Sequence, residues 1–259
     1  LYISSCANPF SKALSCIYFR CRKFITNQTT NKSMKTSLTI AALLIYCSIA
    51  FCQLNIDQTN KTFIIDFNDF NGSGFCPIPA AGQLSSNTWS IKGLSDGNLN
   101  FGDTKVTAAT DFTRGIHNGL AGTGGVYAFN TGNNIILGVQ PIGSDFTPGL
   151  FMLKLHNITP DTIKSLFISY DIFSMNDQGR GNSLNFSYSV DSINYINIPS
   201  LDFSTKDSAI ANPIWEQINK NILLSGITIV PVPLFLKFVV SFFEAPNGLP
   251  KVPFYALWL

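Results

Sequence analysis

From Thr62 onward apolar residues fall at every second position, and no other feature restricts the fold of this chain so strongly. In Leu184-Asn185-Phe186-Ser187-Tyr188-Ser189-Val190, apolar and aromatic residues alternate with small polar ones. Successive side chains of a strand point to opposite faces, so the pattern predicts a strand with one face buried. Phe151, Leu153 and Leu155 alternate in the same way with Met152, Lys154 and His156. Leu166, Ile168, Tyr170 and Ile172 alternate with Ser165, Phe167, Ser169 and Asp171, and Trp89 and Ile91 share a face against Thr88, Ser90 and Lys92. Further strands are expected at 62–70, 98–103, 125–130, 134–139, 194–198, 214–224 and 234–240.

Turn formers separate these runs: Asn71-Gly72-Ser73-Gly74, Ser95-Asp96-Gly97, Gly122 to Gly125, Asn176 to Gly179 and Asp191-Ser192. No stretch reads as a capped amphipathic helix of three turns. About ten short strands with frequent turns predict an all-β chain in which two antiparallel sheets pack as a β-sandwich. No repeat or linker divides the body, which predicts one domain.

Charge is unevenly placed. Six of the seventeen Lys and Arg lie at or before Lys35, and all fifteen acids lie after Gln53. Eleven basic groups therefore face fifteen acidic ones from Gln53 onward, a net charge of −4. Such a body offers no electrostatic footprint for nucleic acid or anionic lipid. Only 12% of residues are charged and 46% are hydrophobic, which excludes disorder and permits a sizeable core. Five of the six cysteines precede Gln53, so Cys76 is left without a partner for an intramolecular bridge.

The opening segment reads as an address. Met34-Lys35 leads into an uncharged run from Leu38 to Cys52, with Ala50 and Cys52 suitably small for cleavage before Gln53. This predicts a signal peptide over 34–52 and a secreted or cell-surface protein. The run is too short for a membrane anchor, which needs about 20 apolar residues, so no span is expected after cleavage. Residues 1–33 are then expected to be upstream, non-native sequence. At the other end, the body over 53–238 gives way to an apolar tail over 239–259 with a single acid, Glu244. A shift of reading frame near Val239 would account for that change. Pro231, Pro233 and Lys237 oppose a membrane helix there and favour two strands around a Val-Pro-Val-Pro turn.

IDFNDFNGSGF (65–75), WSIKGLSDGNLNFGDT (89–104), GGVYAF (124–129), the run from Tyr170 to Tyr195 and the Trp215 segment together resemble secreted bacterial β-sandwich modules of jelly-roll-like type. Such modules are often found in surface proteins with a C-terminal sorting tail. The resemblance covers roughly Phe63 to Phe238 and implies fold and export, with no activity attached. Members of the group continue into a Gly/Asp-rich loop and an acidic closing strand, and this chain departs from them there.

No catalytic set is expected. Nucleophilic catalysis needs a base beside Ser or Cys, and the two histidines, His117 and His156, fall in a Gly-rich loop and on the polar side of a strand. Calcium is the cofactor the sequence best accommodates: Asp66, Asp69 and Asn71 place oxygen ligands at short intervals. The position-12 acid of an EF-hand is missing, because Ala80 stands there, so a hairpin turn capped by Asx side chains is the commoner outcome. For ligand binding the candidates are Trp215, as a stacking platform or a second buried layer, and Asp177 with Arg180, which share one loop and form a local ion pair by default. The expected function is a non-catalytic module for adhesion or glycan binding, with an extracellular glycan or surface protein as partner. A secreted glycoside or phosphoester hydrolase using Asp with calcium, and a purely structural spacer, are the alternatives.

Overall fold

Alternating side chains can bury an apolar face only by laying one sheet on another, and the chain does so. The computed structural model describes residues 2–6, 54–177, 179, 181–206, 208–231, 233–243 and 257–258. Contacts separate a unit of Leu1–Ala7 with Cys52–Leu259 from Asn8–Phe51, and the second, like the whole of the expected signal peptide, lies outside those residues.

The strands in chain order are β1 (Tyr2–Cys6), β2 (Leu54–Ile56), β3 (Thr62–Ile64), β4 (Phe70–Cys76), β5 (Gly82–Ser85), β6 (Trp89–Leu94), β7 (Gly97–Leu99), β8 (Ile116–His117) and β9 (Gly125–Asn130). They continue with β10 (Ile135–Gln140), β11 (Gly149–Asn157), β12 (Ile163–Ser174), β13 (Gly181–Ser189), β14 (Ile196–Asn197), β15 (Phe203–Ser204), β16 (Glu216–Ile229), β17 (Pro233–Phe243) and β18 (Leu257–Trp258). No helix among them is long and apolar enough to cross a membrane.

Two eight-stranded sheets form a β-sandwich. In the first, β12 pairs antiparallel with β16 along one edge, from Ile163↔Ile229 to Ser174↔Glu216. Its other edge carries β1 at Ser165–Ser169 and β18 at Ser174, and β18 leads on to β10, β9 and β8. In the second sheet β17 lies between β13 and β11, and β6 and β7 follow beyond β11. Parallel pairing is confined to short contacts: β2 on β11, β8 on β9, and β4 on β5.

The core is the meeting of the two inner faces. Leu166, Ile168, Tyr170 and Ile172 from the first sheet are buried against Phe151, Leu153, Leu155, Leu184, Phe186, Leu234 and Leu236 from the second. Tyr170 and Phe186 stack across the gap with ring centroids 6.1 Å apart. Removing an aromatic pair of this kind from water is among the larger single contributions a sandwich has.

Two expectations are corrected. Asn71 to Gly74 is not a hairpin turn but the middle of β4, which pairs parallel with β5. Its Asx hydrogen bond is present, with the Ser73 N–H donating to Asn71 Oδ1 at 3.1 Å, but it sits inside an irregular strand. Gly72 and Gly74 carry φ of 76° and 96°, which shifts the register between Phe70 and Phe75 and so disguises the strand as a turn. The two strands expected around the prolines at 231–233 are present as β16 and β17, and the segment between them carries the chain from one sheet to the other. Lastly, the polar face of β13 is only partly exposed: Asn185 is exposed but Ser183, Ser187 and Ser189 are buried, while Val190, just past the strand end, is 41% exposed. The segment that follows returns along the edge of β13, where β14 and β15 pair with it.

Candidate functional site

The outer face of the second sheet is where alternation leaves chemistry uncovered. On β11 the residues that miss the core are Leu150, Met152, Lys154 and His156. Register sets Met152 between Ser90 of β6 and Lys237 of β17, places Lys154 beside Phe235, and puts Leu150 beside Lys92. Two loops wall this floor into a groove of about 450 Å³. One wall is Asn100 and Phe101, just after β7, and the other is Ser192 and Tyr195, just after β13.

Each wall is held by a carboxylate turned into its own loop. Asp103 accepts from the Asn100 N–H at 2.8 Å and from Asn100 Nδ2 at 2.9 Å. Asp191 accepts from the N–H groups of Ile193 and Asn194 at 2.8 and 2.7 Å, from Asn194 Nδ2 and from the Ser189 hydroxyl. Those donors hold the Asp191 carboxyl well below the usual carboxylate range. The turn they close presents Tyr195, whose hydroxyl reaches Met152 Sδ at 3.4 Å.

Aromatic and cationic groups interleave in the groove. Phe101 and Phe235 lie 5.8 Å apart at 53°. Lys154 Nζ stands 4.6 Å from the Phe101 centroid and Lys237 Nζ 3.9 Å from that of Tyr195. Burial pushes both lysines below their ordinary value. Burial, with the negative charge of Asp191 added, pushes the Tyr195 phenol up.

The residues singled out in the sequence lie elsewhere. Trp215 is half-buried on the outer face of the other sheet, edge-on to Phe129 at 5.8 Å, in a small cluster with Tyr127, Ile136 and Phe173. A Cβ on Gly119 would stand 3.1 Å from its ring, so the contact is close. Asp177 is half-buried just past β12, and Arg180 lies outside the described residues, as does their expected ion pair. Asp66, Asp69 and Asn71 are exposed. Asp66 caps the Asn68 N–H at 3.1 Å, and Asn71 takes both the N–H and the hydroxyl of Ser73. Among the described residues no three His, Cys, Asp or Glu converge as a metal-holding group. His117 lies edge-on to Tyr127 and Phe129, and His156 faces outward on β11.

Phe101, Tyr195 and Phe235 were not marked out by sequence reasoning. Parity alone places Phe235 and Lys237 outward, opposite Leu234 and Leu236. Which loops fold over them is a tertiary matter.

No protein-family model matches the chain, and no curated protein matches it. Among solved structures, TmCBM61 in complex with beta-1,4-galactotriose aligns at 10% identity over 54% of this chain and 79% of that one, with a TM-score of 0.25. A likeness of that depth bears on neither the fold nor the ligand of this chain.

Proposed function

We propose that this chain is an exported carbohydrate-binding module acting at the cell surface, with the groove on the outer face of the second sheet as its binding site. The observation that carries this reading is the juxtaposition of three half-buried rings, Phe101, Tyr195 and Phe235, with the polar side chains of Asn100 and Ser192 around one concavity. Sugar rings offer apolar C–H faces for an aromatic ring to cover and a fringe of hydroxyls for short polar side chains to meet. A sandwich does not by itself imply a carbohydrate ligand, so the reading stands on the groove. The signal-like run from Met34 to Cys52 supports export.

The test is a polysaccharide panel probed with the whole chain and its Phe101→Ala variant. Retention on at least one glycan, about ten-fold weaker in the variant and unchanged by Trp215→Phe, is the expected result. Retention that falls with Trp215→Phe and not with Phe101→Ala would move the site to the other sheet and overturn this assignment. Absence of retention across the panel would remove the carbohydrate reading.

A further inference from the structure

The groove also shows the charge of what it takes, an inference that rests on the carbohydrate reading above. From Gln53 onward acids outnumber bases by fifteen to eleven, so a surface typical of this body leans acidic. The groove reverses the balance. Lys92 and Lys237 line it, Lys154 stands at its Phe101 wall, and no carboxylate is among its lining residues. The neighbouring acids in the chain, Asp103 and Asp191, spend their oxygens on the amides of their own turns.

These lysines have no counter-ion among the described residues. Among the described residues the ion pairs are Lys61 with Asp57 and Arg114 with Asp111, both away from the groove. Lys154 and Lys237 rest on ring faces instead, and burial makes both easier to deprotonate. An ammonium that has lost water without gaining a carboxylate is poised to recover that cost when an anion arrives. Position adds to this. Lys92 and Lys237 lie on β6 and β17, with β11 between them, and so stand on strands about 10 Å apart. That separation suits a chain with repeated charges better than a single small anion.

We propose that the groove binds an anionic saccharide, bearing carboxylate or sulfate groups, with Lys92 and Lys237 meeting its charges and Phe101 and Phe235 its sugar rings. The whole chain is titrated calorimetrically with polygalacturonate, chondroitin sulfate, a neutral galactan, a neutral xylan and polyglutamate, at low and high salt. The expected result is binding of one or both acidic polysaccharides, weakened as salt rises. Lys92→Gln/Lys237→Gln should bind about ten-fold or more weakly, and Lys92→Arg/Lys237→Arg should retain binding. Lys164→Gln, an exposed change on β12, should bind as the parent does. Binding of polygalacturonate alone identifies carboxylate, and of chondroitin sulfate alone sulfate; either supports the inference. Equal binding of the neutral polymers would overturn it and leave the carbohydrate reading standing. Polyglutamate bound as tightly as the polysaccharides would overturn it in favour of an acidic peptide. Failure to bind any polymer would overturn both readings.

Discussion

Asp111 is 2% exposed, and its carboxylate, through Arg114 as well, ties three loops together. Oδ2 accepts from the Ser95 hydroxyl and the Asp96 N–H, both at 2.8 Å, and Oδ1 accepts from Arg114 at 2.6 Å. Its own N–H donates to Asp96 Oδ2 at 2.8 Å, so the two aspartates cap each other. Arg114 also donates through Nε to the Gly124 carbonyl. Burial alone would raise the Asp111 carboxyl, but the Asp96 amide, Ser95 and Arg114 outweigh it and hold the group below its ordinary value. A depressed carboxylate contributes stability that is present above its unfolded value and lost as pH falls through its folded one. Asp111→Asn should therefore cost about 3 kcal/mol near neutral pH, since it removes one partner of a buried pair. The gap between parent and variant, read by chemical denaturation at several pH values, should narrow once pH drops below about 4. A gap independent of pH would mean that the contribution is one of shape rather than charge.

At the scale of elements, β4 shows how backbone conformation overrides pattern. A Cβ on Gly74 would overlap the Lys105 carbonyl, to which the Phe75 N–H is bonded at 2.9 Å, and φ there is +96°. Gly74→Ala combines a left-handed penalty with that overlap and should cost at least about 2 kcal/mol, seen as a lowered denaturation midpoint. Gly132→Ala, at φ +97° but with open space around it, should cost only the first part. Equal losses would show that Gly74 is not held by its neighbours. The outer edge of β13 shows a second device. Between β14 and β15, which pair with it in two short stretches, Asp202 accepts the Phe186 N–H at 2.9 Å in place of a strand carbonyl. An edge covered in this way is closed to pairing with other chains.

At the scale of the molecule, the sheets are joined by apolar burial, with no disulfide in the described body and Cys76 free. Phe186 is 1% exposed and stacks on Tyr170 of the opposite sheet, so Phe186→Ala should lose about 4 kcal/mol and unfold both sheets in one transition. Two transitions in calorimetry would show that the sheets are separately stable. The inner faces were legible because alternation at 151–155, 166–172 and 184–186 is a property of the strand itself, whatever lies opposite. The strand at 125–130 shows no such alternation, because both of its faces are buried. The groove was not, because its lysines and rings come from β6, β11, β17 and two loops that are far apart in the chain.

Local covalent geometry thus settled, from the sequence by itself, that this is an all-β chain and which side chains of its longer strands face inward. It also marked a signal-like opening and an acidic body. Tertiary structure alone decided that Asn71 to Gly74 is strand, that Trp215 packs on Phe129, and that Phe101, Tyr195 and Phe235 meet three lysines across one groove. Period two reports only the two sides of a strand. What covers an outward side is decided by which loop folds over it, and that depends on contacts between residues that no local pattern links.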